Sequence, residues 1–340
     1  MGVTIDDIAS AAGVSTATIS RVLNNSERVS PATRKRIEAI IKEQGYKPNI
    51  FARGLKHSQT GVVGIIVSLI TNPYMTSIVE SIEGTLAKND AFIYLCNSNN
   101  DEELEHRYIE ELLRRKVEAL IVVESPGFNA ASSFYDGLKA DCPVILVNEH
   151  LHRDPRHHVV CCAQEPGLME ALNYFLARRL FPIAMILGDE GNYSCTVKER
   201  LFAEFCSGAG LGPGAAQVHR VGDANVEGVV TNAAELMSRL ARSPDRPRAI
   251  LAYNDMVGVG VLQGAQAAGL RVPDDIAVIS VDNTLLSRIS VPQLSTVDLR
   301  TADLGRMAAE LYLRIRSGYI PAREASREEI SSRLVLRATS

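Results

Sequence analysis

No apolar run in the 340-residue chain approaches the roughly 20 residues that cross a bilayer. The densest, Val62-Val63-Gly64-Ile65-Ile66-Val67, is the size of a strand. The opening, Met1-Gly2-Val3-Thr4-Ile5-Asp6-Asp7, lacks the basic flank and apolar core of a secretory signal. A cytoplasmic protein without a membrane partner is therefore expected. Cys-x-x-Cys pairs are missing as well: Cys96, Cys142, Cys161, Cys162, Cys195 and Cys206 are scattered, which argues against a zinc ribbon or a thioredoxin-like site. In a reducing compartment they read as small buried apolar residues. Catalytic signatures are also lacking, with no Gly-x-x-x-x-Gly-Lys-Ser/Thr loop, no Gly-x-Ser-x-Gly elbow and no His-Glu-x-x-His. The glycine-rich run Gly258–Gly264 misses dinucleotide-binding spacing and falls inside an expected helix. The reading is of a protein that is not an enzyme and needs no cofactor or metal.

What is present is a chain with 46% apolar and 22% charged residues, which excludes disorder and supports two or three compact units. The net charge of −4 alone argues against a nucleic-acid partner. Its distribution argues the other way. Residues 1–60 carry nine Lys/Arg against five Asp/Glu, whereas the remainder is net negative. A basic head on an acidic body fits a polyanion-binding module joined to something else.

Three short helices are legible in that head. Thr4 and Asp7 make a capping box with Val3 packed on Ile8, and Gly13 suits a left-handed stop. Ser15 can cap a second helix from Thr16 to about Leu23. Its apolar side is Ile19, Val22 and Leu23, leaving Thr16, Ala17, Ser20, Arg21 and Asn24 on the other side. Ser30-Pro31 opens a third helix, whose core face is Ile37, Ile40 and Ile41, and Gly45 ends it. This pattern is a helix-turn-helix. A bidentate arginine suits guanine and small methyl-bearing side chains suit thymine, so Arg21, Thr16 and Ala17 are the expected base readers. Ser20, Asn24, Ser30 and Thr33 suit phosphate oxygens; an ordinary three-helix bundle with a polar face is the alternative. After Tyr46-Lys47-Pro48, Asn49 can cap a six-residue stretch, Ile50–Leu55, too short to be stable alone. It would order as a paired copy in a minor groove, with Arg53 and Lys56 on phosphates and Leu55 as a wedge. A plain linker would give the same composition.

The residues Val3–Ala9, Ala12-Gly13-Val14-Ser15, Thr18–Asn24, Val29-Ser30, Thr33-Arg34, Gly45–Asn49 and Ala52-Arg53-Gly54-Leu55 resemble the headpiece of the LacI/GalR family of bacterial repressors. The resemblance implies a homodimer on a pseudo-palindromic operator in double-stranded DNA. Its implied DNA-facing set is Ser15, Thr16, Ala17, Ser20, Arg21, Asn24, Ser30 and Thr33, with Asn49, Ala52, Arg53, Leu55 and Lys56 in a hinge.

From Val62 onward, short apolar runs alternate with amphipathic stretches. Strands are expected at Val62–Ser68, Phe92–Cys96, Ala119–Val123, Val144–Val147, Ile183–Leu187, Ala249–Tyr253 and Ile276–Val281. Helices are expected near 74–88, 101–115, 165–179, 197–208, 226–241, 255–268 and 301–317. That alternation implies parallel sheets covered on both faces, with ligands at the C-terminal strand ends. This part resembles the effector domain of the same family, anchored by Asn72-Pro73-Tyr74, Asn254-Asp255, Val272–Asp275 and Pro292–Val297. The fold class is thus α/β: an all-α headpiece (1–47), a hinge (48–60) and two doubly wound lobes of periplasmic-binding-protein type (61–340). The resemblance divides the lobes as about 61–160 with 292–322, and 161–291 with 323–340. No leucine-heptad tail follows Arg337, so a dimer rather than a tetramer is expected.

The family implies a small-molecule effector between the lobes, a sugar or something like one. Ser68, Asn72, Asn148, Asn254 and Asp282 are candidates to hold it at strand and helix ends, with Tyr74 to stack and Arg200 to reach in. Each can equally be a helix cap or loop residue. Departures at Asn148-Glu149, Ala163-Gln164 and Ala224 remove charge and stacking, and put an ordinary hexose in doubt. They would suit a regulator of the same family that answers to a protein or a non-sugar metabolite. A transport binding protein would share the body but not the headpiece. The run from His150 to His158, with Cys161-Cys162 beyond it, could in principle sense metal or redox state. Its spacing fits no ligand pattern, and a solvated loop followed by a buried strand is expected.

Overall fold

The structure is a computed structural model. It describes the chain except for residues 1–2, 24–25, 27, 47–59, 125–133, 135–137, 139–141, 148–156, 189–192, 213, 223–225 and 323. Two units separate at Gly61.

The first unit holds α1 (Ile5–Ala12), α2 (Thr16–Leu23) and α3 (Pro31–Glu43). The capping box forms: the Asp7 carboxylate accepts from the Thr4 N–H at 2.8 Å, and the Asp7 N–H donates to the Thr4 hydroxyl. The Thr4 N–H and the Thr4 hydroxyl, both donating to it, hold the Asp7 carboxyl below the usual carboxylate range. Gly13 takes φ 60 to stop α1, a conformation that penalises any side chain with a Cβ. Ile8, Ile19 and Ile37 are fully buried and form the small core with Ala9, Ala12 and Val22.

In the second unit the chain runs through β1 (Val62–Val67), α4 (Pro73–Ala87), β2 (Phe92–Asn97), α5 (Glu102–Arg114), β3 (Ala119–Val123), β4 (Val144–Val147) and β5 (His158–Ala163). It continues with α6 (Glu165–Ala177), β6 (Ile183–Leu187), α7 (Tyr193–Gly208), β7 (Ala216–Arg220), α8 (Val226–Leu240), β8 (Ala249–Ala252), α9 (Asp255–Ala267), β9 (Ala277–Asp282), α10 (Leu285–Ile289) and β10 (Ser295–Asp298). The last elements are α11 (Thr301–Arg316), β11 (Arg327–Ser331) and β12 (Arg333–Val335). Two six-stranded sheets result, ordered β11-β5-β4-β3-β1-β2 and β12-β10-β9-β8-β6-β7. All pairings are parallel except β10 with β12. Central strands such as β3 and β8 are buried on both faces and are apolar along their length, as helices on both sides require.

The lobe boundaries differ from the expected ones at two strands. Residues 295–298 pair with β9 and so belong to the second sheet, whereas 327–331 pair with β5 in the first. Both are short strands without a clean period. β11, Arg-Glu-Glu-Ile-Ser, carries the charges that protect a sheet edge, so hydropathy alone does not assign it. The chain crosses between sheets after Ala163, after Asp298 and at Ser332. The crossings are tied together: the Ser332 hydroxyl donates to the Gln164 carbonyl and accepts the Gly167 N–H, each at 3.0 Å. Arg333 pairs with Asp298 at 3.2 Å.

The glycine run in α9 has a packing reason. A Cβ on Gly260 or Gly264 would lie 2.3 Å from the carbonyl oxygens of Val230 and Ala234, so α8 and α9 meet backbone to backbone. No helix among the described residues is long and apolar enough to cross a membrane.

Candidate functional site

Helix α2 turns Ile19 and Val22 into the headpiece core, and by the helical period this sends Thr16, Ala17 and Arg21 outward. All three are exposed and Ser20 is half-buried. The Arg21 guanidinium has no hydrogen bond or ion pair among the described residues. Ser15 and Ser30 serve as caps: each accepts the N–H of the residue three positions on, at 3.3 Å, and shares its hydroxyl with Thr18 or Thr33. The hydroxyls of Ser15 and Ser30 thus cap α2 and α3, as their place before each helix predicts, and Thr33 adds its own hydroxyl to the Ser30 cap. Asn24, Asn49, Ala52, Arg53, Leu55 and Lys56 lie outside the described residues.

One positioning residue was missed. Arg34 of α3 donates to the carbonyls of Val22 at 3.2 Å and Ser26 at 2.7 Å. It fastens the C-terminal end of α2 to the third helix. Its place in the Thr33-Arg34 motif is the hint the sequence offers, because a charged residue on α3 otherwise reads as solvent-facing.

In the second unit the strand order reverses between β1 and β3 in one sheet and between β6 and β8 in the other. Such switch points open crevices at C-terminal strand ends. Ser68 follows β1 and Glu124 follows β3, whereas Tyr253 and Asn254 follow β8 and Asp282 ends β9. Ser68 is buried, and its hydroxyl points to the Met75 sulfur at 3.3 Å. Asn72 and Asn254 are N-caps whose side-chain oxygens accept from Tyr74 and Val257 at 3.0 and 2.9 Å. Their amide nitrogens alone remain to meet a ligand. Asn148 lies outside the described residues.

Two expectations are corrected. Tyr74, offered as a stacking ring, is 3% exposed and sits in the main apolar core with Ile78 and Ile82, because the second residue of α4 faces the sheet. Arg200 does not reach inward. It lies on the exposed face of α7 and forks onto Glu204, one turn on, at 2.8 and 3.1 Å. Lys198, two residues earlier, takes the inward position instead and is 2% exposed. Its Nζ donates to the Ser194 hydroxyl and lies 4.9 Å from the centre of the Tyr253 ring.

Two carboxyl groups, Asp282 and Glu124, act on Lys198. Burial pulls the Lys198 ammonium below its usual range, against the pull of Asp282, Cys195 and Glu124. Burial, reinforced by Asp255 and Glu124, pushes the Asp282 carboxyl well above the ordinary value, and Lys198 opposes this. Asp282 also holds an unusual backbone, φ 114, of the strained kind that clusters at binding sites. Asp255 is anchored differently. Its carboxylate accepts from the Ser280 hydroxyl at 2.5 Å, the Thr284 N–H at 2.6 Å, the Thr284 hydroxyl at 2.8 Å and the Thr296 hydroxyl at 2.9 Å. It braces β9 and β10 rather than facing a ligand. Burial raises its pKa, and these four bonds work against the rise.

The neighbouring cysteines are packing residues. Cys161 and Cys162 point to opposite faces of β5 into separate apolar clusters, and burial pushes each thiol up to about 12. Among the described residues no group of three His, Cys, Asp or Glu is placed to hold a metal; His150 and His152 lie outside them.

Residues 4–49 match the profile of the bacterial regulatory proteins of the lacI family, and residues 172–340 match a periplasmic binding protein-like domain. The chain is 28% identical over 306 residues to the HTH-type transcriptional regulator DegA of Bacillus subtilis, covering 90% of this chain and 89% of that protein. It is 29% identical over 311 residues to the ribose operon repressor of Escherichia coli K12, with 91% and 92% covered. A solved structure of the lac repressor dimer bound to operator and the anti-inducer ONPF superposes with a TM-score of 0.85 at 23% identity, covering 100% of this chain and 99% of that one. Residues 4–49 thus carry a lacI-family regulatory domain and residues 172–340 a periplasmic binding protein-like domain, in a chain similar along nine-tenths of its length to bacterial regulators and repressors.

Proposed function

We propose that the protein is a DNA-binding transcriptional repressor acting in the cytoplasm as a homodimer, with no catalytic role. Each subunit places Thr16, Ala17 and Arg21 in the major groove of one half-site of a pseudo-palindromic operator. A small molecule, a sugar or a close relative of one, binds between the two lobes at Ser68, Lys198, Asn254 and Asp282 and sets operator affinity. Lys198 replaces Arg200 in that set. The observation that carries the reading is the outward ridge on α2. Its base-reading side chains are exposed, and Arg21 has no partner to leave among the described residues. Support comes from relatives that are themselves named regulators and repressors, and from the lac repressor, seen as a dimer on operator with an anti-inducer. Genome-wide footprinting with the full chain tests it. A protected inverted repeat is the expected result, and protection without two-fold symmetry counts against the proposal.

A further inference from the structure

Helix α11 joins two distant places in the body, and both of its ends are bonded. At its beginning the Arg300 N–H donates to the Asp298 carboxylate at 2.9 Å. Arg300 itself takes φ 58, a left-handed conformation that a residue with a Cβ holds only under restraint. Asp298 also receives Arg333, of the third crossing, at 3.2 Å. At the other end the buried Tyr312 hydroxyl donates to the Glu118 carboxylate at 2.6 Å, and Arg316 stands 3.7 Å from the same oxygen. Glu118 in turn donates its backbone N–H to the Val62 carbonyl at 2.8 Å. Val62 opens β1 and is the first residue of the second unit, so the chain from the headpiece arrives there. Thr301 and Tyr312 are about 16 Å apart along the helix, at about 1.5 Å per residue. Between them α11 has little freedom to repack. A Cβ on Gly305 would lie 2.4 Å from the Ile78 carbonyl oxygen, so α11 meets α4 backbone to backbone. The Ser77 and Ser81 hydroxyls of α4 reach the Thr301 hydroxyl at 2.9 Å and the Ala302 carbonyl at 2.5 Å. Close-packed contacts of this kind pass a displacement on rather than absorb it.

Resting on the repressor reading above, we propose that α11 is the rod that carries a change at the Asp298 crossing to the base of β1, with Tyr312 and Glu118 as the positioning residues at its output end. A shift of α11 moves the Tyr312 hydroxyl, Glu118 follows its donor, and the Val62 carbonyl follows Glu118. The point from which the headpiece chain sets out is thereby tied to the state of the crossing. Neither Tyr312 nor Glu118 belongs to the DNA-facing set or to the cleft, so their effect on operator affinity is indirect.

The test is a double-mutant cycle in the full chain, read as affinity for a duplex carrying the inverted repeat found by footprinting. Asp298→Asn keeps an acceptor for the Arg300 N–H but weakens the hold on Arg333, and Tyr312→Phe removes the hydroxyl alone. Changes at sites this far apart ordinarily combine to within about twofold. Here the combined effect should depart from the product of the single effects by about threefold or more. A smaller departure overturns the proposal. The control pairs Asp298→Asn with Asp101→Ala, which deletes the N-cap of α5 in the same lobe; a departure as large in that pair also overturns it, because the coupling would then not run through α11. Amide exchange on the DNA-free chain gives a second reading that needs Asp298→Asn alone. Peptides holding Val62 and Glu118 should exchange at least about threefold faster in Asp298→Asn and stay as they are in Asp101→Ala. Unchanged exchange in Asp298→Asn, or equal acceleration in both variants, overturns the rod. This arm requires no operator, so a chain that protects no inverted repeat loses the repressor reading while the exchange still decides the role of α11.

Discussion

Two arginines of the headpiece make opposite predictions. The Arg21 guanidinium is exposed and unpaired among the described residues, so Arg21→Ala removes nothing the fold uses. Its effect on headpiece stability should stay within about 0.5 kcal/mol. On operator DNA the same change removes a bidentate base contact of about 1–3 kcal/mol per half-site. Two half-sites double it to about 2–6 kcal/mol, roughly 30-fold to 10⁴-fold in affinity. Arg34 donates at 3.2 and 2.7 Å to the carbonyls that end α2. Arg34→Ala leaves those acceptors half-buried and should cost the headpiece about 1–3 kcal/mol before any DNA is added. Melting curves, together with titrations on operator and scrambled duplex at several salt concentrations, distinguish the two. For Arg21→Ala the melting point should hold, the operator loss should exceed the scrambled loss, and the salt slope should stay the same. A loss shared equally by both duplexes, with a slope reduced by about one, would make Arg21 a phosphate contact and refute the base-reading assignment.

Two further outcomes test the body of the protein. Gly264→Ala gains about 1 kcal/mol of helix propensity. Its new Cβ, however, falls 2.3 Å from the Ala234 oxygen, and overpacking of about 1–3 kcal/mol or more should prevail. Gly84→Ala in α4, which has open space around it, should show the gain alone; urea titration giving both variants the same sign would contradict the packing account. Burial depresses the pKa of His158 against the pull of the Ala322 carbonyl and Glu328. The unfolded chain therefore binds this proton first, and stability should fall as pH drops below about 6.5. His158→Gln should flatten part of that fall in melting temperature between pH 7.5 and 5, and an unaltered slope would remove His158 from the account.

How far the residues announced the structure depended on what kind of signal each element carries. The headpiece helices were legible because caps and apolar period agree within eight to thirteen residues, as at Thr4–Asp7 and Ser30–Pro31. Strands buried on both faces, such as Ala119–Val123, declare themselves by composition. Edge strands do not: β7, Ala-Gln-Val-His-Arg, and β11 are half-exposed and polar, and nothing local fixes their partners. In the cleft, Asp282 was legible as a strand-end carboxylate. The choice between Lys198 and Arg200 was not. The two residues lie about 200° apart on α7, and the winner depends on which turn of the helix faces the cleft, a tertiary fact. Family register favoured Arg200, while the helix presents Lys198. Asn254 and Asp255 were found as a pair, but their division of labour follows from Ser280, Thr284 and Thr296, which come from three separate segments.

The three crossings explain how modest ligand contacts can have a large effect. Because Ser332 bonds to Gln164 and Gly167, and Arg333 to Asp298, the strands joining the lobes form one braced strap rather than three independent tethers. Rotation of one sheet against the other about such a strap would change the distance between Ser68 and Glu124 on one side and Lys198 and Asp282 on the other. A ligand held by one side alone has equal affinity for every opening angle and shifts no population. A ligand bonded to both sides at once prefers the closed arrangement by the worth of the second set. A hundredfold shift needs about 2.7 kcal/mol, close to two or three net hydrogen bonds.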